Sequence, residues 1–150
     1  MEYGFQFANL EPARVPDLAR VTEAEGDDLI VFPDHIVVEG LEGQYDPHTL
    51  AYDVVSLATV VADSTTKIRV GHLVLCNQFR HPAITAQSLV TLDHVSNGRL
   101  IAGLGSGWTE TEFRMTGIPF PPIRLLLETS SFLALRRQAP SRKSTALTMA

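Results

Sequence analysis

Three short polar clusters each follow directly on an apolar run. Asp34 and His35 come after Leu29-Ile30-Val31-Phe32-Pro33; Cys76, Asn77, Arg80 and His81 come after Leu73-Val74-Leu75; Ser106, Gly107, Trp108 and Glu110 come after the run ending at Leu104. A carboxylate beside an imidazole suits proton transfer, because histidine titrates near neutrality and works in either direction. Neighbours on an extended chain point to opposite sides, so a helix-capping Asp34 and a hydrogen-bonded surface His35 are the plainer alternative. Gly103, Gly105 and Gly107 leave room for a flat ring or a phosphate to approach the backbone, and Trp108 offers an apolar wall beside them. A dinucleotide fingerprint would need its third glycine where Trp108 stands, and a tight strand-to-helix turn explains the glycines equally well. Cys76 reads as a small buried hydrophobe, not a nucleophile. Arg80, ahead of His81-Pro82 at a helix start, could attract an anionic group or form a solvated cap. The five histidines (35, 48, 72, 81 and 94) lack the His-Glu-x-x-His spacing, so no metal centre is expected.

These clusters need elements to hold them. Phe5 and Phe7 alternate about Gln6 in a first strand over Gly4 to Ala8, and Val15, Leu18, Ala19 and Thr22 then recur at helical spacing. Asp28 to Phe32 is an apolar strand stopped by Pro33. Leu50, Val54, Leu57, Ala58 and Val61 predict a second helix over about 49 to 63. A third strand is predicted over Lys67 to Leu75 and a third helix from Pro82 to near Val95. The turn residues Ser96-Asn97-Gly98 then lead into a fourth strand over Arg99 to Leu104. Strand centres lie about 24, 41 and 31 residues apart, room each time for a right-handed crossover between parallel strands. An α/β architecture follows. Four units take about 120 residues, so eight would approach the roughly 250 of a (β/α)8 TIM barrel; a small doubly wound sheet is the other solution. In both, ligands bind at the C-terminal ends of the strands, where the three clusters fall.

Composition narrows the function classes. With 150 residues, 45% hydrophobic and 19% charged, the chain can bury the core of one domain. Its net charge of −5 supplies no basic footprint for nucleic acid or anionic lipid. The single cysteine excludes an internal disulfide, and a reducing, cytoplasmic setting is expected. No apolar run approaches the roughly 18 residues of a membrane span, and Met1 to Pro12 does not read as a signal sequence. Residues 1–128 carry −9, whereas Arg136, Arg137, Arg142 and Lys143 make the remainder +4. That break marks a boundary, and a solvated, disordered tail is expected from about Ala139.

Taken together, Phe32-Pro33-Asp34-His35, the stretch Gly71 to Pro82 (GHLVLCNQFRHP), the stretch Thr91 to Leu100 (TLDHVSNGRL), Gly103-Leu104-Gly105-Ser106-Gly107-Trp108 and Gly117-Ile118-Pro119-Phe120-Pro121-Pro122 closely resemble the bacterial luciferase-like family. The resemblance covers about residues 3–124. It is closest to the branch of oxidoreductases using the deazaflavin coenzyme F420, with flavin mononucleotide (FMN) monooxygenases as near neighbours. It implies that residues 1–124 form the N-terminal half of a (β/α)8 barrel. The expected chemistry is hydride transfer between a ring cofactor and a small-molecule substrate, or monooxygenation with O2. It implies His35 as the catalytic proton donor or acceptor, with Asp34, Leu73, Val74, Cys76, Asn77, Gly105, Ser106 and Gly107 as cofactor-binding residues and Trp108 on the substrate side. A non-proline cis peptide around Leu73-Val74 is also implied. After Arg124 the sequence departs from the family, and residues 125–150 are expected to be a divergent helix and basic tail left by truncation or a shifted frame. The alternative function is a catalytically inactive half-barrel whose open first and fourth strands mediate homo-oligomeric or other assembly.

Overall fold

The structure is a computed structural model that describes residues 2–8, 10–37 and 51–122. In chain order its elements are β1 (Gly4–Gln6), a 3-10 turn (Pro12–Arg14), α1 (Val15–Glu25), β2 (Leu29–Phe32), α2 (Val54–Ser64), β3 (Arg69–His72), β4 (Leu75–Cys76), α3 (Pro82–Val95), β5 (Leu100–Ile101), β6 (Leu104–Gly105) and α4 (Glu110–Thr116). β1, β2, β3 and β5 lie side by side in that order, and β4 pairs with β6. Every pairing is parallel, with Ile30 opposite Val70 and Val70 opposite Leu100. Parallel order places all the C-terminal strand ends at one end of the sheet, which is what the three polar clusters require.

The helices follow from local chemistry. Pro16 stands in the first turn of α1, where a missing N–H costs nothing, and Gly26 ends the helix at a φ of 92°. The second helix starts later than the expected residue 49. Asp53 accepts from the backbone N–H of Ser56 at 2.8 Å and so begins the helix at Val54, while 51–53 are not helical and 49–50 lie outside the described residues. α3 opens at Pro82 and closes before Asn97 and Gly98, both at positive φ, as their residue types predict. The third and fourth strands, expected to be continuous, are each interrupted. β4 resumes after Leu73-Val74, whose peptide bond is cis, and β6 resumes after Ala102-Gly103.

α1 packs on α2 and α2 on α3, and together they cover one face of the sheet. Ile30, Phe32, Val70 and Leu75 meet Val15, Ala19, Leu57, Ala58, Val61, Leu89 and Leu92 there in one apolar cluster. Burying a side chain such as Ile30 or Leu92 contributes about 1.5–3 kcal/mol. Polar contacts close the opposite, N-terminal end. Glu23 accepts backbone N–H bonds from Thr66, Lys67 and Ile68, and the Arg99 guanidinium donates to the carbonyls of Ala62, Thr65, Ile68 and Ser96. The expected change at residue 125 lies outside the described residues.

Candidate functional site at the C-terminal strand ends

Asp34 leaves β2 with its carboxylate turned inward, only 2% exposed. Arg80 donates to it through both terminal nitrogens at 2.6 and 3.0 Å, and the Cys76 backbone N–H donates at 2.9 Å. Arg80 also donates to Asp53 at 3.0 Å. The bidentate fork therefore ties the ends of β2 and β4 to the start of α2. Burial opposes the guanidinium charge, but Asp34 and Asp53 outweigh it and push the Arg80 pKa up. Arg80, a candidate anion site by sequence, is already compensated by two carboxylates.

His35 points elsewhere. Its side chain is 36% exposed, and Nδ1 lies 3.2 Å from each carboxylate oxygen of Glu112, which is 3% exposed. Oε1 of Glu112 also accepts the N–H groups of Ile36 at 2.7 Å and Val37 at 3.3 Å. Burial works against ionising Glu112, but the His35 and backbone donors prevail and hold the carboxyl below its ordinary value. The His35 ring stands edge-on to Trp108, centroids 6.3 Å apart. His35, Trp108 and Thr109 line a cavity of about 370 Å³ whose other walls include Phe7, Phe32 and Tyr52. The hydroxyl oxygen of Thr109 is buried without a hydrogen-bond partner.

The other expected residues divide between surface and packing. Leu73 is exposed and Val74 half-buried. Asn77 lines a second, apolar cavity of about 550 Å³ beside α3 and β6, and its Oδ1 is buried without a partner. Cys76 is buried opposite Gly105 in the β4–β6 ladder, and burial pushes its thiol up, as suits an inert cysteine. Gly105 and Gly107 have protein atoms on their Cβ side. A Cβ on Gly105 would collide with the Val74 side chain. At Gly107, with a φ of 75°, a Cβ would lie 2.9 Å from Cys76 Sγ and from the Phe113 ring. At these two positions the absence of a side chain makes room for Val74, Cys76 and Phe113. Ser106 is buried beside them.

His35 and Trp108 thus meet at one cavity, Asn77 looks into another, and Asp34 lines neither but belongs to an ion-pair network. Sequence reasoning missed Glu112 and placed Glu110 in the cluster instead. In α4, Glu112 and Phe113 face inward while Glu110 faces solvent. The available signal was two acids two apart in a helix, which cannot both point the same way. It also missed Asp53 and the buried His72, which sits opposite Phe32 on the helix-covered face.

The sequence profile of luciferase-like monooxygenases matches residues 5–135. The chain belongs to that family. Among curated relatives, the F420-dependent glucose-6-phosphate dehydrogenase of Amycolatopsis mediterranei is 32% identical over 114 residues, covering 75% of this chain and 33% of that enzyme. The solved structure of coenzyme F420-dependent tetrahydromethanopterin reductase from Methanopyrus kandleri is 30% identical with a TM-score of 0.64, covering 80% of this chain and 31% of that one. The FMN-bound oxygenating constituent of 3,6-diketocamphane monooxygenase from Pseudomonas putida shares the fold at a TM-score of 0.65 and 19% identity, covering 87% of this chain and 38% of that one. The chain spans about a third of the length of the F420-dependent relatives. The family's F420 and FMN enzymes are therefore both among its structural kin, and its α/β fold with a parallel sheet is theirs in part. Among the described residues no cluster of three or more His, Cys, Asp or Glu could hold a metal ion, and no helix is long and apolar enough to cross a membrane.

Proposed function

We propose that this luciferase-like chain contributes the N-terminal half of a ring-binding site for F420, with FMN as the alternative, in an oxidoreductase acting on a small uncharged organic substrate. The observation that carries the reading is the position of His35, held against Glu112 and lining an apolar cavity at the C-terminal strand ends. The residues fit a planar ring. Leu73 and Val74 present apolar surface, and the buried, unpartnered Thr109 hydroxyl in the wall of the His35 cavity suits a polar edge of the ring. When bound, the ring supplies or accepts the hydride, and the protein supplies orientation and polarity. His35 holds or takes up the accompanying proton. Trp108 and Tyr52 shape the substrate side and exclude water. Asp34, Cys76, Gly105, Ser106 and Gly107 shape the ring site from behind, through the Arg80 network and the β4–β6 packing.

The lack of cations supports an uncharged substrate. No Lys or Arg lines the cavity among the described residues. A phosphorylated substrate would find no cation in the described wall of this cavity.

The test is titration of F420 and of FMN into the chain. Trp108, the sole tryptophan, is 71% exposed beside His35, so a bound ring should quench its emission. Binding should also stabilise the fold by about 2.7 kcal/mol at a hundredfold excess over Kd. Unchanged emission and melting with both rings contradicts the reading. Assembly is a second reading, favoured by the free outer edge of β1 among the described residues and by the exposed Tyr3 and Phe5 along it. It predicts concentration-dependent mass in light scattering, and a monomer throughout the micromolar range contradicts it.

A further inference from the structure

Glu112 is a buried acid with three donors aimed at it from one short segment. It sits on α4, 77 positions beyond His35 in the chain, and its side chain is 3% exposed. An acid placed there by packing alone would be costly, because removing a carboxylate from water is repaid only where donors replace the water. Those donors are the Ile36 and Val37 N–H groups at 2.7 and 3.3 Å and the His35 ring at 3.2 Å. The two backbone bonds pin the carboxylate and the peptide that carries His35 at the same time. The ring is thereby offered a fixed partner on its Nδ1 side.

A carboxylate accepts and cannot donate, so its hydrogen bond with Nδ1 requires the proton to be on that nitrogen. Neutral His35 is then the Nδ1–H tautomer, with its basic lone pair on Nε2, across the ring from Glu112. We propose that Glu112 is a positioning residue for His35, fixing the Nδ1–H tautomer so that Nε2 is the atom that exchanges a proton at the cavity. A buried carboxylate orienting an imidazole base is a recurring arrangement wherever a histidine must present one nitrogen reliably. Asp34, the neighbouring acid on the chain, does not compete for the ring, since Arg80 and the Cys76 N–H engage it. The inference rests on the reading of His35 as acid and base, and adds which nitrogen acts and what holds it.

The experiment is long-range 15N–1H correlation of the histidine rings in the full chain, without cofactor, at mildly alkaline pH. His81 provides an internal reference of the opposite kind: its Nδ1 accepts the Ala83 N–H at 3.2 Å, so its proton sits on Nε2. His35 should show the Nδ1–H pattern. In Glu112→Gln the amide offers donors as well as an acceptor, so the pattern should be lost or mixed while His81 and His94 keep their shifts. An Nε2–H pattern for His35 in the unmodified chain overturns the proposal, as does an unchanged Nδ1–H pattern in a folded Gln variant. Should that variant fail to fold, the spectrum of the unmodified chain decides alone. Because no cofactor is present, a wrong tautomer leaves ring binding untouched, and a failed ring titration leaves the tautomer result standing.

Discussion

Acid should destabilise this fold through His72. The ring is 1% exposed, neither nitrogen makes a hydrogen bond of good geometry, and it faces the helix-covered side of β3. Burial lowers its pKa from 6.5 to about 4; Arg80 adds to the effect, while Asp34, Asp53 and the backbone of Val54 oppose it. The unfolded chain binds a proton near pH 6.5 and the folded chain not until about 4, so stability is full above 6.5 and declines as pH falls between the two. A tenfold difference in proton affinity corresponds to about 1.36 kcal/mol, so crossing the whole window costs about 3 kcal/mol, a large part of a small domain's stability. Urea unfolding followed by far-ultraviolet circular dichroism at intervals from neutral to about pH 4.5 measures the slope. The His72→Leu variant should lose most of that slope in the upper part of the window. Below it, the lowered carboxyls of Glu23, Asp53 and Glu112 add a further acid loss of the same sign, because each favours the fold only while ionised. Parallel curves for the two proteins between pH 5 and 6.5 would refute the reasoning about burial.

Three substitutions test the packing around the site. Arg80→Ala leaves Asp34 buried without its cation and should cost about 3–5 kcal/mol by chemical denaturation, with Arg80→Lys recovering only part because it lacks the fork. A loss near zero would mean that the Asp34–Arg80 pair does not hold β2 and β4 together. Gly107→Ala combines a positive φ with a 2.9 Å approach to Cys76 Sγ and Phe113, and should lower stability by about 1–3 kcal/mol. Neutral behaviour would show that Phe113 yields freely. Asp53→Ala removes the cap on Ser56 and one partner of Arg80, and a loss of about 1–2 kcal/mol in urea unfolding is expected; no loss would place the start of α2 under other control.

Where the relevant chemistry is local, the sequence shows it. Pro82 at one end and Asn97-Gly98 at the other bracket α3, and the apolar run ahead of Pro33 marks β2, because proline and glycine act through their own backbone geometry. The start of α2 is local too, but hydrophobic periodicity carried Leu50 into the stripe, whereas the Asp53 cap on Ser56 decides where the helix begins. The breaks at Leu73-Val74 and Ala102-Gly103 are hidden, since apolar composition continues through them and side-chain type does not report an interrupted ladder. Only the family resemblance pointed to the cis bond. The candidate residues were legible as three polar clusters after apolar runs, but their partnerships were not. Asp34 finds Arg80 46 positions away, and His35 finds Glu112 77 positions away. Such pairs depend on how strands and helices come together, and choosing Glu112 over Glu110 requires knowing which side of α4 packs inward.

The proposal that the C-terminal strand ends of this luciferase-like chain hold a planar ring at the cavity lined by His35 and Trp108 is best tested by mapping backbone amide shifts during titration with F420. Saturable shifts should cluster at residues 34–36, 73–77 and 106–109, with little change at the N-terminal strand ends around Glu23 and Arg99. Shifts confined to the N-terminal ends, or spread evenly over the chain, would contradict it.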